Sequence, residues 1–454
     1  MTSIRRDLIQ RLTIGRQQCF EATTYARVSR SVGLLIEAVG LRAPVGQLCW
    51  IEHREAEIPC EVVGFDDQTT LLMPLARTDG VDPGTQIRIP NKHQGNIIAD
   101  PRSLLGRTVN GLGEPIDGLG PVTDTRQVEL VERSINPMTR EPISERLDTG
   151  VVSINALLSV GVGQRVGLFA GSGVGKSVLL GMLARFVKAD VVVVGLIGER
   201  GREVQEFVRD NLGDGLSRAV VVASPADDSA AMRLRGAFLA THIAEVFRDQ
   251  GKRVLLLMDS LTRVAQAQRE IGLSMGEPPT SKGYTPSSFA YLPRLVERAG
   301  MGEDGKGSIS AFYTVLMEED DLQDPVVDAA RAILDGHIVL SRRLAEQGIY
   351  PAIDISRSIS RVMNNLVEPA QAELARRFKM LWAKYEEQED LISVGAYRAG
   401  SDPHTDEAIE RHQLMCDLLK QDAHSNIGIP ESLDQLQQMF VNQPASPISA
   451  VEVA

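Results

Sequence analysis

The stretch RVGLFAGSGVGKSVLLGMLARF, residues 165–186, decides how this chain is read. Arg165–Phe169 is an apolar run suited to a strand. It leads into a loop with glycine at 171, 173 and 175, and then into a helical pattern that starts near Lys176. Glycines let the backbone curl so that its N–H groups point inward, and with a helix N-terminus they make a cradle for phosphate. The spacing is that of GxxxxGK[ST] with one departure, because Ala170 stands where the first glycine is usual. Alanine is the smallest replacement, and the glycines nearest the phosphates remain. Gly171, Ser172, Gly173, Val174, Gly175, Lys176, Ser177 and Val178 are therefore the expected nucleotide contacts. Lys176 is placed for the β- and γ-phosphates, and the Ser177 hydroxyl for Mg²⁺, so ATP with Mg²⁺ is the implied ligand.

Three further segments gain meaning beside that loop. RVLLLMDS, residues 253–260, is a buried-strand pattern ending in Asp259, a carboxylate that can support Mg²⁺ through water. GERGREV, residues 198–204, follows the strand pattern VVVVGLI directly. A strand end beside the phosphate loop puts Glu199 where a carboxylate can orient and polarise the attacking water. Arg200 and Arg202 could meet phosphate charge there, and the competing reading is a surface charge cluster. GIYPAIDISRSISRV, residues 348–362, offers Tyr350 as a flat face for a base and Arg361 as a possible arginine finger.

The rest of the chain is organised around this core. Residues 1–18 carry Ile4, Leu8 and Leu12 at helical spacing among arginines, which suits either a terminus packed on its own domain or a docking helix for a partner. From 19 to 95, short β-rich runs alternate with turn residues, the pattern of a small barrel or sandwich. Residues 96–150 are rich in Gly and Pro and read as an irregular connection. From 151 to about 365, continuous Val/Leu runs alternate with helical stretches. That is the pattern of an α/β domain whose strands are buried on both faces. The connection and this domain together form one ATPase domain, 96–365. Beyond it, 366–454 read as helical, with Pro430 and the polar segment after it suggesting a loosely held tail.

The 454 residues are enough for two or three domains, and 43% apolar with 24% charged residues is ordinary for a soluble globular chain. A net charge of −12 weighs against a general nucleic-acid binder, which carries a basic footprint. Cys19, Cys49, Cys60 and Cys416 stand far apart with no CxxC pair, which suits reduced thiols. The N-terminus has no apolar core of a signal peptide, and no apolar run approaches the roughly 20 residues of a membrane helix.

PAIDISRSIS (351–360), the phosphate loop, the GER motif and LLGRTVNGLGEPIDG (104–118) together resemble the rotary ATPase α/β-subunit family. Within it the chain is similar to the ATPases of type III protein export. AGSGVGKSVLLGML, GERGREV, AFYTVL, ILDGHIVLSR and YPAIDISRSISR carry that resemblance. DLISVGAYRAGSDP (390–403) and DAARAILDGHIVLSRRLAEQGIYPAID (328–354) look like the flagellar branch, with the virulence injectisome as the alternative.

The resemblance implies a RecA-like P-loop core with an N-terminal six-stranded β-barrel and a C-terminal helical domain, assembled as a homohexamer. It implies that Lys176 and Ser177 bind phosphate and Mg²⁺, that Asp259 supports the metal and that Glu199 is the catalytic carboxylate. It also implies that Arg200 meets the γ-phosphate, Tyr350 stacks on adenine and Arg361 enters the neighbour's site. Implied partners are a regulator at the N-terminal helix, an export gate, a stalk-like protein, export chaperones and their substrates. The implied place is the cytoplasmic side of the inner membrane, reached through partners, with no nucleic acid bound. Two readings of other classes compete. A non-hydrolysing ring subunit would have no use for Glu199 beside Lys176. A ring helicase would need a basic, aromatic strand path, against 4% aromatic residues here.

Overall fold

The computed structural model describes residues 24–53, 56–89, 97–122, 127–129, 135–303, 305–317 and 324–441. The helix expected at 1–18 lies outside them. Two compact units are present, Met1–Ile97 and Ile98–Ala454.

The first unit is a closed six-stranded antiparallel barrel. Its strands are β1 (Thr24–Val32), β2 (Leu35–Val39), β3 (Leu48–His53), β4 (Ala56–Asp66), β5 (Thr69–Pro74) and β6 (Gln86–Ile89). The order around the barrel is β1-β2-β5-β4-β3-β6. Alternate residues point inward, as the period of two in a strand requires. Ala26 and Val28, Ile36 and Ala38, Cys49 and Ile51, and Cys60 and Val62 fill the interior with Leu72 and Ile87.

The second unit is built on a nine-stranded sheet. Its principal strands are β7 (Thr108–Val109), β8 (Arg165–Ala170), β9 (Val191–Ile197), β10 (Ala219–Ser224), β11 (Arg253–Asp259), β12 (Ser308–Leu316), β13 (Gly336–Leu340) and β14 (Ile353–Ser360). The order is β14-β13-β8-β12-β11-β9-β10-β7. These pairings are parallel except β13 with β14.

The continuous apolar runs are explained by a core on each face. Val192, Val194, Leu196, Leu255 and Leu257 face one side. Val191, Val193, Ile197, Val254, Leu256 and Met258 face the other. Fully burying each such side chain contributes about 1.5–3 kcal/mol. The first core also holds Phe378, Leu381 and Trp382 of the helix Pro369–Ser393, and Met415 of the helix Pro403–Leu419. The C-terminal helices thus share a core with one face of the sheet.

Two expectations change. The Gly/Pro-rich connection supplies a sheet strand after all: Val221 and Val222 of β10 pair in parallel with Thr108 and Val109. Two residues are too few to show a period, and a side-chain lock holds them instead. Asp117 accepts from the Thr108 backbone N–H at 3.0 Å and from Arg107 Nε at 2.7 Å. The Arg107 bond chiefly holds the Asp117 carboxyl well below the usual carboxylate range. Nor is the segment after Pro430 a loose tail as far as Val441. Ile429–Val441 is a helix whose Ser432, Leu436 and Met439 are buried at i, i+4 and i+7. Pro430 stands in its first turn, where a missing N–H costs no helical bond.

Candidate active site

Parallel strands bring their carboxyl ends to one edge, and the loops leaving that edge build the site. The loop after β8 runs from Gly171 to Gly175 into helix α1 (Lys176–Phe186). Gly175 has φ of +89°, a left-handed conformation that a side chain would strain, and it starts the helix. Val174 is buried beneath the loop, while Ser172, Gly173, Ser177 and Val178 are exposed at its mouth. The first turn of α1 contains no acidic side chain to compete for an anion.

Three charged groups converge under the loop. Lys176 Nζ lies 2.7 Å from Asp259 Oδ1 and 3.2 Å from Glu199 Oε1. Burial by itself would lower the Lys176 pKa, but Asp259 and Glu199 outweigh it and hold the ammonium above its ordinary value. Burial pushes the Asp259 carboxyl up; Lys176 pulls against that rise and Glu199 adds to it. Asp259 ends β11, and β12 lies beside it. From β12, the Thr314 hydroxyl donates to Asp259 Oδ1 at 2.5 Å. Thr314 is fully buried and was not singled out from sequence, since one threonine in an apolar strand pattern carries no motif.

The metal question has an answer in donor chemistry. Among the described residues no group of three or more His, Cys, Asp or Glu side chains could hold a metal ion alone. Ser177 and Asp259 offer hard oxygens, and both hydrogen bonds at Asp259 go to Oδ1. Such a sparse oxygen set fits Mg²⁺ arriving with nucleotide phosphates, because that ion is ordinarily held by one or two carboxylates plus phosphate and water.

The remaining expected residues divide. Tyr350, half exposed, stands just ahead of β14, and its ring lies close to Gly175: a Cβ built on that glycine would come within 3.5 Å of it. Arg200 points outward, with its side chain 80% exposed and Nη1 3.6 Å from Glu203 Oε1. Arg361 is not at this edge. Because β14 runs antiparallel, Ile353 pairs with Leu340 near the phosphate loop and Ser360 pairs with Gly336 at the far end. Arg361 follows Ser360, level with Arg165 where β8 begins. Six residues of β8 separate that level from the loop, roughly 20 Å. Arg361 cannot touch nucleotide bound in its own chain.

Residues 150–360 match the ATP synthase alpha/beta family, nucleotide-binding domain. Residues 367–438 match the T3SS EscN ATPase C-terminal domain. The flagellum-specific ATP synthase of Pseudomonas aeruginosa is 55% identical over 92% of this chain and 94% of its own length. The assembled ATPase EscN of the enteropathogenic E. coli type III secretion system superposes with a TM-score of 0.85 at 41% identity, over 91% of this chain and 99% of that one. The same ATPase in complex with its central stalk EscO gives 0.83 at 40% identity, over the same shares. The barrel, the mixed sheet with its phosphate loop and the C-terminal helices are common ground with these proteins, and the chain belongs to the family of the flagellum-specific ATP synthases, as an ATP-hydrolysing enzyme.

Proposed function

We propose that this chain is the ATPase of a flagellar type III export apparatus and couples ATP hydrolysis to delivery of flagellar proteins and release of their chaperones at the export gate. The observation that carries the reading is the meeting of Lys176, Glu199 and Asp259 under a glycine-rich loop in a chain 55% identical to a flagellum-specific ATP synthase. A subunit that only held nucleotide would need Lys176 but not a second carboxylate beside it.

In this reading Lys176 and the loop N–H groups, from Gly171 to Val178, bind the phosphates. Lys176 leaves its two carboxylates to do so. Ser177 and Asp259 would hold the Mg²⁺, which would supply charge neutralisation to the bound phosphates. Glu199, freed from the lysine, orients the attacking water and accepts its proton. Arg200 swings in from solvent toward the γ-phosphate, and the Tyr350 ring stacks on adenine. Arg361 acts on the neighbouring subunit's nucleotide. A homohexameric ring satisfies that geometry, since a closed cyclic assembly gives every site one finger.

Partners follow from the same reading. A stalk-like protein engages the ring, as the related EscN is seen with its central stalk EscO. A regulator docks on residues 1–18, and the export gate, chaperones and substrates meet the ring. No nucleic acid is bound. No described helix is long and apolar enough to cross a membrane, and partners hold the enzyme at the cytoplasmic face of the inner membrane. The likeness to EscN, and the C-terminal match to that family, favour the injectisome as the second reading.

The test is flagellin in the medium of a strain carrying Glu199→Gln at normal protein level. Export and swimming both fall sharply if the proposal holds. Untouched flagellin export with lost effector secretion moves the enzyme to an injectisome.

A further inference from the structure

We propose that Asp335 is a positioning residue that ties a subunit's own phosphate loop to the finger it offers its neighbour. The proposal rests on the reading of Arg361 as an intersubunit finger. Its basis is a knot at the edge of the sheet opposite the loop. The Asp335 carboxylate accepts from the Arg165 backbone N–H at 3.0 Å, from Arg165 Nε at 2.9 Å and from Nη2 at 3.0 Å. The backbone N–H of Asp335 donates to the Arg165 carbonyl at 2.9 Å, and its own carbonyl accepts the Arg361 N–H at 3.0 Å. One residue therefore grips both the first residue of β8 and the residue carrying the finger.

The surroundings make this knot stiff. Gln164, fully buried, donates from Nε2 to the Asp335 carbonyl at 3.1 Å and to Ser360 Oγ at 3.2 Å. Ser360 Oγ in turn donates to the Ser159 carbonyl at 2.8 Å. Gly336 lets β14 approach closely, because a Cβ there would meet the Ile359 carbonyl oxygen at 2.5 Å. Arg165 has a second anchor in Glu297, 2.6 Å from Nη1. The finger itself is lightly held: Arg361 is exposed, and Nη2 donates to the Arg331 carbonyl at 2.8 Å. A stiff root places the finger, and its exposed tip leaves the guanidinium within reach of another chain.

β8 supplies the link. It lies inside the sheet between β12 and β13, and its carboxyl end is the phosphate loop. A strand hydrogen-bonded on both sides is a stiff element, of the kind that carries coupling between distant sites. A shift of the loop on nucleotide binding or phosphate release reaches Arg165, and Asp335 passes it to the root of Arg361. The state of one site is thereby communicated to the next. A misplacement of about 1 Å in such a group can cost on the order of 100-fold in rate.

The experiment compares Asp335→Ala, Asp335→Asn, Arg361→Ala and the Asp335→Ala/Arg361→Ala double variant. Full-length protein is used at a concentration where activity per subunit has levelled off, with phosphate release followed by radiolabel. Thermal unfolding identifies any variant that fails to fold, and Asp335→Asn, which keeps the backbone bonds, then carries the test. The expected result is a 10- to 100-fold fall in kcat with KM for ATP within twofold of the parent, a lost dependence of rate on neighbouring-site occupancy, and a double variant no slower than Arg361→Ala. Folded Asp335 variants with unchanged kcat overturn the proposal. So does a double variant slower than Arg361→Ala by the full Asp335→Ala factor, which places the aspartate's action elsewhere. If Arg361→Ala itself turns over at the parent rate, the finger reading fails, and this inference with it.

Discussion

The two edges of the central sheet handle charge in opposite ways. At the carboxyl edge, the Lys176 ammonium is shared between the Glu199 and Asp259 carboxylates inside the chain, and all three side chains are mostly buried. At the opposite edge, Arg165 and Asp335 are paired, but the guanidinium of Arg361 has, among the described residues, only a backbone carbonyl and stands exposed. The first edge is a site whose groups wait for a ligand to separate them. The second presents an exposed charge that, among the described residues, is paired with no carboxylate. If Arg361 is the finger proposed above, a single subunit holds one site and one finger, roughly 20 Å apart along β8, and completes neither alone.

The comparison breaks most decisively at Glu199. If the carboxyl edge is the reacting site, Glu199→Gln should retain ATP affinity and lose turnover by about 10³-fold or more, while Lys176→Ala should lose affinity itself. Fluorescent-nucleotide binding and phosphate release separate the two. A Glu199→Gln enzyme with ordinary turnover removes the carboxylate from the mechanism.

The opposite edge comes next. Arginine fingers are worth about 10³–10⁵ in rate, so Arg361→Ala should approach the Glu199 loss in kcat with nucleotide affinity nearly intact. If the finger acts on another chain, specific activity of the parent should climb with protein concentration and that of Arg361→Ala should stay flat. A parent whose activity per subunit does not depend on concentration, with rings forming over the same range, contradicts action in trans.

A smaller effect distinguishes what Asp259 needs from what it does. Thr314 fixes Asp259 Oδ1 from the neighbouring strand. Partners one step removed from a metal typically cost 10–100-fold when lost. Thr314→Val should raise the Mg²⁺ concentration needed for half-maximal activity by about tenfold, and Thr314→Ser should restore it. An unchanged Mg²⁺ requirement would leave Thr314 as packing alone.

The contrast between edges also sets how much was readable from sequence. The loop at 170–177, Glu199 and Asp259 are legible because the chemistry of phosphate demands particular residue types next to strand ends, and strand ends can be read from apolar runs. The antiparallel course of β14 is not legible in that way. A run such as PAIDISRSIS shows a strand but not its direction, so residues alone could not say that Tyr350 and Arg361 lie at opposite edges. Thr314 and Asp335 were missed for a related reason. Each works through a partner distant in sequence, Asp259 or Arg165, and only strand order makes them neighbours. Pro430 misled because proline marks a helix's first turn as readily as a break.

The smallest expected effect concerns Asp228, in the loop after β10 whose Ala226 N–H donates to the Glu199 carbonyl at 2.9 Å. Burial chiefly, with Asp227 adding to it and Arg233 opposing, lifts the Asp228 carboxyl from 3.8 to about 6. A carboxyl raised in the folded state binds its proton there more readily than in the unfolded chain. This contribution to folding is thus fully present below about pH 4 and is lost as pH rises from about 4 to 6. The side chain is half exposed, so solvent screening reduces the effect to about 1 kcal/mol or less. Asp228→Asn should therefore stabilise the chain by up to about that amount at pH 7 and flatten the pH dependence of unfolding between 4 and 6. Denaturant midpoints at pH 4.5 and 7 measure both. A variant less stable than the parent at pH 7 would mean that the ionised carboxylate is held by something it needs, and the loop beside Glu199 would then join the carboxyl edge as a part of its charge balance.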